Sequence, residues 1–312
     1  MEANEKQKVI VITGPTASGK TALGALYAKT YGGEVVSADS MQVYKHMDIG
    51  TAKPTPEDML GVPHHMIGIV EPWEDYSAAR YITDAANIID DILKRGKKPV
   101  IVGGTGLYID SLLSGRVFMA RADSCLRLGL EHEYDEIGGE AMLQKLSCFD
   151  TTSAEKLHPN DKKRIVRAFE TYRTSGKAIS QHDEETLSVP PRYEALKIAL
   201  TYSDRAELYS RIDKRVERML SSGFEQEVLK LMEMGVPQGA TAMQAIGYKE
   251  MASVLSGHLT REAATERIKM ESRRYAKRQL TWLRRDDTVR WIVWATAPDI
   301  TWALKQVTDY LK

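Results

Sequence analysis

Cysteine is scarce in this chain: Cys125 and Cys148 are the only two among 312 residues, and they form no CxxC pair. That excludes a disulfide framework and a thiolate metal cluster, and it fits a reducing compartment. Net charge is missing as well, with 43 Lys and Arg balanced by 43 Asp and Glu. Such a chain exerts no global attraction on a polyanion, so any nucleic-acid surface has to come from local clustering. No apolar run is long enough to span a bilayer, and the polar opening, Met1 to Lys8, has no signal-peptide character. These absences point to a cytoplasmic protein with no membrane partner. Internal repeats and low-complexity tracts are lacking too. What remains is an ordinary globular composition, 43% hydrophobic, in a length that suits one large domain or a core with an insert.

Short β-branched runs alternate with helical patterns in the first third. Val9–Thr13, Glu34–Ser37, Met66–Val70 and Pro99–Val102 read as strands, the third of them weakly. Between the last two, Ala78, Ile82, Ala85, Ile88, Ile89 and Ile92 recur at helical spacing, predicting a helix over 78–95. Ala195–Leu200 and Val289–Trp294 read as further strands. The expected fold is α/β: a P-loop NTPase-like, mostly parallel sheet with helices on both faces. Residues 117–191 are helical and charged, and Pro190-Pro191 closes them. They read as an inserted helical domain within a core formed by 1–116 and 192–312.

Gly14-Pro15-Thr16-Ala17-Ser18-Gly19-Lys20-Thr21 satisfies G-x-x-x-x-G-K-[ST] at every fixed position and stands between a strand and a helix. Glycines let the backbone N–H groups curl around a phosphate. The helix N-terminus and Lys20 add positive potential, and the Thr21 hydroxyl is placed to ligate Mg²⁺. This pattern predicts a diphosphate or triphosphate ligand and names no reaction. The fourth strand ends in Gly103-Gly104-Thr105-Gly106 rather than in the carboxylate an ATPase commonly carries there.

Asp39 follows the second strand, so its carboxylate is expected near Thr21 at the carboxyl edge of the sheet. There it could bind metal through water or accept a proton; it could equally cap the following turn. His64-His65 has no further ligand at metal spacing and reads as structural. Trp282, Trp291, Trp294 and Trp302 read as core. Lys162, Lys163, Arg164 and Arg167 cluster within one and a half helical turns, as a solvated face or a phosphate contact. Arg267, Lys269, Arg273, Arg274, Lys277, Arg278, Arg284 and Arg285 make the last long helical stretch strongly basic, with Glu271 the main offset.

Taken in order, several segments resemble one family, the bacterial-type tRNA dimethylallyltransferases, also called tRNA isopentenyltransferases. They are the loop 14–21, Asp39-Ser40-Met41-Gln42-Val43-Tyr44, Met47-Asp48-Ile49-Gly50-Thr51-Ala52-Lys53-Pro54 and Gly103-Gly104-Thr105-Gly106-Leu107-Tyr108. Later come His158-Pro159-Asn160-Asp161 with Arg164 and Arg167, Ser222-Gly223-Phe224-Glu225, Ala245-Ile246-Gly247-Tyr248-Lys249 and Ala276-Lys277-Arg278-Gln279-Leu280-Thr281-Trp282-Leu283-Arg284. A P-loop alone is promiscuous; this ordered set, spanning nearly the whole chain, is specific.

The resemblance implies that the loop holds dimethylallyl diphosphate with Mg²⁺, and that N6 of the adenosine 3′ to the anticodon attacks the allylic carbon. It implies Asp39 as the hydrogen-bond acceptor for that amine, Arg215 as a clamp on the diphosphate from the opposite side, and Thr105 as a neighbour of donor and base. Lys20 and Thr21 complete the catalytic set. The tRNA contacts so implied are Asp39, Ser40, Met41, Gln42, Thr105, Arg127, Lys163, Arg164, Arg167, Gln244, Gly247, Lys249 and Arg278, with the anticodon stem-loop as partner and the target base flipped out of its stack. A monomer is expected. One departure stands out: the segment 118–127 lacks the prolines that the family carries before an Ala-Asp pair, here Ala122-Asp123. A small-molecule or nucleotide kinase would explain the loop and Asp39 but not the later motifs. A non-catalytic RNA-binding protein would not need the intact Lys20-Thr21 pair.

Overall fold

The computed structural model describes residues 8–116, 118 and 124–311. Met1–Gln7, Val117, Met119–Asp123 and Lys312 lie outside the described residues, and with them the opening of the chain and most of the proline-poor segment before Arg127.

Among the described residues six strands form one sheet: β1 (Lys8–Thr13), β2 (Gly33–Ala38), β3 (His64–His65), β4 (Lys98–Gly103), β5 (Glu194–Tyr202) and β6 (Arg290–Trp294). Their order is β3-β2-β4-β1-β5-β6, and every neighbouring pair is parallel. The Val and Ile runs belong here because a parallel sheet is covered on both faces and leaves no strand face for water. Val11, Val36 and Ile101 pack with α2 (Ala78–Lys94) on one face, while Ile12, Val35 and Val100 pack with α1 (Lys20–Tyr31) on the other. In α2, Tyr81, Ala85, Ala86, Ile89 and Ile92 are buried, and the Ser77 side chain caps its first turn.

Register decides what the sheet presents. Thr13 and Ala38 both align with Gly103, so the turns leaving β1, β2 and β4 emerge side by side. The strand expected over 66–70 is not there. The edge strand is the His64–His65 pair, and Val70 makes only an isolated bridge to Tyr44. Met66 (φ 64°) and Gly68 (φ 60°) are left-handed, which no extended run of side chains tolerates.

The chain divides into two compact units, Met1–Leu113 with Arg192–Lys312, and Ser114–Pro191. The first also contains α3 (Gly106–Ser114) up to Leu113, and α8 (Arg205–Ser221), α9 (Phe224–Glu233), α10 (Tyr248–Leu255), α11 (Arg261–Leu283) and α12 (Ile300–Asp309). Within it α11 packs on α8 and α10. The second unit contains α4 (Ser124–Ser147), α5 (Thr151–Lys156), α6 (Lys162–Ser175) and α7 (Ile179–Leu187) around Leu130, Met142, Leu146, Ile165, Val166 and Phe169.

Candidate active site

The loop after β1 is shaped by backbone conformations that side chains resist. Gly14 (φ 146°) and Gly19 (φ 90°) turn the chain from the sheet into α1, whose first residue is Lys20. A Cβ on Gly14 would come within 2.6 Å of the Leu200 carbonyl oxygen, so the position is closed to anything larger. The Tyr202 hydroxyl donates to the Ala17 carbonyl at 3.1 Å, and Trp294 Nε1 donates to that of Ser18 at 2.9 Å. Strands β5 and β6 thus hold two loop carbonyls, and Lys20 Nζ donates to a third, on Pro15.

Asp39 stands one residue beyond β2. Its Oδ1 accepts the N–H groups of Met41 (2.9 Å) and Gln42 (3.3 Å), so the turn-capping reading is realised. Among the described residues Oδ2 has no hydrogen-bond partner, and Asp39 shares a cleft of about 530 Å³ with Lys20, Thr21 and Arg215. Charge couples them. Burial, and then the nearby Arg215 guanidinium, lower the Lys20 ammonium to about 8, against a smaller opposing pull from Asp39. Burial likewise lowers Arg215, with Asp39 opposing. Two cations and one carboxylate in a desolvated cleft leave a net positive charge for an anion to neutralise.

Arg215 reaches this place from α8, 199 residues after Thr16, whose hydroxyl oxygen accepts from Nη1 at 2.5 Å. Nη2 donates to the Thr51 carbonyl at 3.4 Å. Thr105 ties the neighbouring turns: its hydroxyl accepts the Ser40 N–H (3.1 Å) and its own N–H donates to Ala38 (3.1 Å). Gln42 is engaged at both ends, donating to the Thr51 and Ala52 carbonyls and accepting from Ser37 Oγ.

Two residues without an expected role close the site. Gln279, buried on α11, accepts the Thr16 N–H and donates to the Gly104 carbonyl, both at 3.0 Å. It links the phosphate loop to the turn after β4. One turn earlier, Tyr275 lies beside Thr105 and Gln279; burial, reinforced by the Asp39 charge, pushes its hydroxyl up to about 12. An amide in a basic helix carries no sequence signal for either contact. The oxygen donors at Thr21 and Asp39 beside a phosphate cradle suit Mg²⁺, which takes few protein ligands and completes its shell from phosphate and water.

The remaining expected positions are scattered. Ser40, Met41, Gln244 and Arg278 line the cleft, the last two exposed. Gly247 is the N-cap of α10, its N–H held by Glu250, and Lys249 is exposed near the same carboxylate. Arg127, Lys163, Arg164 and Arg167 belong to the second unit. Only Lys163 and Arg164 of these are well exposed. Arg127 and Arg167 both meet the buried Glu170, and Lys162 is held by Asp135. On α11 the stripe is also narrower than the sequence implies, because Lys269 and Arg273 pair with Glu217 and Asp213 of α8. Lys277, Arg278, Arg284 and Arg285 stay exposed. His65 bonds Glu34 and His64 bonds the Val62 carbonyl; among the described residues no cluster suits a metal ion by His, Cys, Asp or Glu. Trp302 departs from the core reading: it is 43% exposed, 6.0 Å from the buried Trp294. Among the described residues no helix is long and apolar enough to cross a membrane.

Comparison with known proteins adds an independent line. A family model described as IPP transferase matches residues 42–286, and one described as isopentenyl transferase matches 7–67. The chain is 49% identical over 285 residues to a tRNA dimethylallyltransferase of Acetivibrio thermocellus, covering 91% of each chain. It is 45% identical over 291 residues to one of Geobacter sulfurreducens, covering 93% of each. Among solved structures, the tRNA isopentenylpyrophosphate transferase of Bacillus halodurans superposes with a TM-score of 0.73 at 40% identity, covering 98% of this chain and 96% of the other. A eukaryotic dimethylallyltransferase acting on tRNA gives a TM-score of 0.82 at 32% identity, covering 98% and 79%.

Proposed function

The chain belongs to the IPP transferase family, that of the tRNA dimethylallyltransferases, and on that premise we propose the reaction its cleft performs. It transfers the dimethylallyl group of dimethylallyl diphosphate to the exocyclic N6 of the adenosine 3′-adjacent to the anticodon in tRNA, releasing diphosphate. The observation that carries this reading is the meeting of Lys20 and Arg215 on one phosphate loop with Asp39 beside them.

The chemistry follows from what each group can do. The leaving diphosphate gains charge as the allylic C–O bond breaks, and fixed donors and cations stabilise that charge most where water is excluded. Loop amides, Lys20 and Arg215 supply them. Thr21, with Asp39 nearby, would hold Mg²⁺, which would supply further positive charge to the phosphates. The N6 amine is a weak nucleophile, and Oδ2 of Asp39 accepts its hydrogen bond and then its proton as the C–N bond forms. Tyr275 lines the cleft, and Thr105, which does not, supports its wall through the Ser40 N–H and the Tyr275 hydroxyl. The base reaches the cleft only after leaving the anticodon stack. Lys163 and Arg164 on the second unit, and Lys277, Arg278, Arg284 and Arg285 around the end of α11, offer exposed cations for the RNA backbone. We read the enzyme as a monomer acting in the cytoplasm; that all the cleft's lining residues come from this one chain is in keeping with it.

A kinase reading is not favoured. β4 ends at Gly103, and Gly104 follows it, with no carboxylate at this place. The test is one incubation of the protein with Mg²⁺, unmodified tRNA and labelled dimethylallyl diphosphate, beside a second tube with labelled ATP. Label passes into tRNA from the allyl donor. ATP consumption without prenylation would overturn the reading.

A further inference from the structure

Glu227, on α9, does not line the cleft, yet its carboxylate gathers four donors. Oε2 accepts the N–H groups of Asp48 (2.8 Å) and Ile49 (2.7 Å). Oε1 accepts the Gly50 N–H (3.0 Å) and the Tyr248 hydroxyl (2.6 Å). Three successive backbone N–H groups around one anion form a nest, a concavity that commonly captures free anions. Here a side chain fills it. The fit is close: a Cβ on Gly50 would come within 2.4 Å of Phe224 and 2.5 Å of Tyr248. Burial and the Glu227 charge keep the Tyr248 hydroxyl protonated well above its ordinary range, so it remains a donor at any working pH.

The residue after this nest is Thr51. Its carbonyl accepts both Arg215 Nη2 (3.4 Å) and Gln42 Nε2 (3.3 Å). The Arg215 guanidinium is therefore fixed at two points, the Thr16 hydroxyl on the loop and the Thr51 carbonyl on the opposite wall. Only the second depends on how the 48–51 segment is held.

We propose that Glu227 is a positioning residue: by seating the amides of residues 48–50 it fixes the Thr51 carbonyl and so aims Arg215 at the diphosphate. This rests on the reading of Arg215 as the diphosphate clamp. Its sign distinguishes it from a simple charge effect. Removing a carboxylate near an anion site should, by electrostatics alone, tighten anion binding. Loss of aim weakens it.

The experiment is a calorimetric titration of inorganic diphosphate with Mg²⁺ into wild type, Glu227→Gln, Arg215→Ala and the double variant. Glu227→Gln is expected to weaken binding about tenfold, and to add nothing once Arg215 is gone, since residues acting through one contact are non-additive. In the transfer assay the same variant raises the donor KM more than it lowers kcat. Unchanged or tighter diphosphate binding, or full additivity in the double variant, overturns the proposal. Should Glu227→Gln fail to fold, Tyr248→Phe, which keeps the carboxylate and removes one donor, must weaken binding in the same direction, and no weakening there is equally fatal. Absence of prenyl transfer by the wild type would sink the transferase reading alone, because the diphosphate cycle needs no turnover.

Discussion

Lys20 is a half-buried cation in the cleft, and the cost of placing its charge there can be measured. Replacing it by Met keeps the apolar stem and removes the charge. In the folded protein burial, and then the Arg215 charge, lower the ammonium from 10.5 to about 8. The folded value lies below the unfolded one, so folding here disfavours the proton. Below about pH 8 both states are charged and the full penalty applies; between about 8 and 10.5 the unfolded chain binds more protons and stability rises with pH; above that the penalty is gone. The shift of about 2.5 units corresponds to about 3 kcal/mol at 1.36 kcal/mol per unit. Access of water to the cleft trims this to about 2–3 kcal/mol. Lys20→Met is thus expected to be more stable than wild type by that amount at pH 7, with the difference fading to nothing near pH 10.5. Urea unfolding of both proteins at a series of pH values gives the difference curve, from which other titrating groups cancel. A variant no more stable at pH 7, or a difference that does not shrink with pH, would refute the burial argument. The same variant must lose diphosphate binding.

Asp39→Ala is expected to bind tRNA normally and to lose about 10²–10⁴-fold in single-turnover prenylation, the usual worth of a positioned base; a wild-type rate would remove that role. Arg215→Ala loses charge-assisted hydrogen bonds of about 1.5–3 kcal/mol, which appear as about a 10–100-fold weaker donor interaction; an unchanged donor KM speaks against the clamp. Gln279→Leu strands the Thr16 N–H and the Gly104 carbonyl, lowering stability by about 2–4 kcal/mol in urea titration, and an unmoved midpoint would show that water replaces the amide. Glu34, 2% exposed and held by Arg95, Lys97 and His65, has its carboxyl far below the ordinary value of 4.5, the Arg95 hydrogen bond being the largest cause. Its contribution is present above about pH 4.5 and is lost as pH falls below it, so Glu34→Gln should destabilise at pH 7 and flatten the acid limb of a stability–pH curve; a parallel curve contradicts this.

What the sequence disclosed was whatever is local in the chain. Five strands announced themselves as short apolar runs, and the phosphate loop as eight contiguous residues. The third strand misled because its apolar residues serve packing: Met66 is buried, but its left-handed backbone cannot join a ladder. Arg215 reached the loop only through resemblance, since no periodicity relates it to Thr16. Gln279 and Glu227 were silent for the same reason, because a polar side chain does not declare which distant backbone group it will bond. Part of each basic stripe is taken up by acids, Asp213 and Glu217 of α8 for α11, and Asp135 of α4 with α6's own Glu170 for α6, and charge spacing along one helix does not reveal the partners on another.

Where the first unit is interrupted, the Arg192 N–H donates to the Leu113 carbonyl at 2.9 Å. The excursion of 78 residues between them therefore begins and ends at adjacent points of backbone. On a ribosome this imposes an order. Helices α4 to α7 emerge complete while β1 still has only β4 beside it, and β5 arrives later to cover its other edge. Tyr202 and Trp294, which hold the loop carbonyls, follow in turn. The loop that is made first is thus tied down late, two of its carbonyls being held only once β5 and β6 have been synthesised.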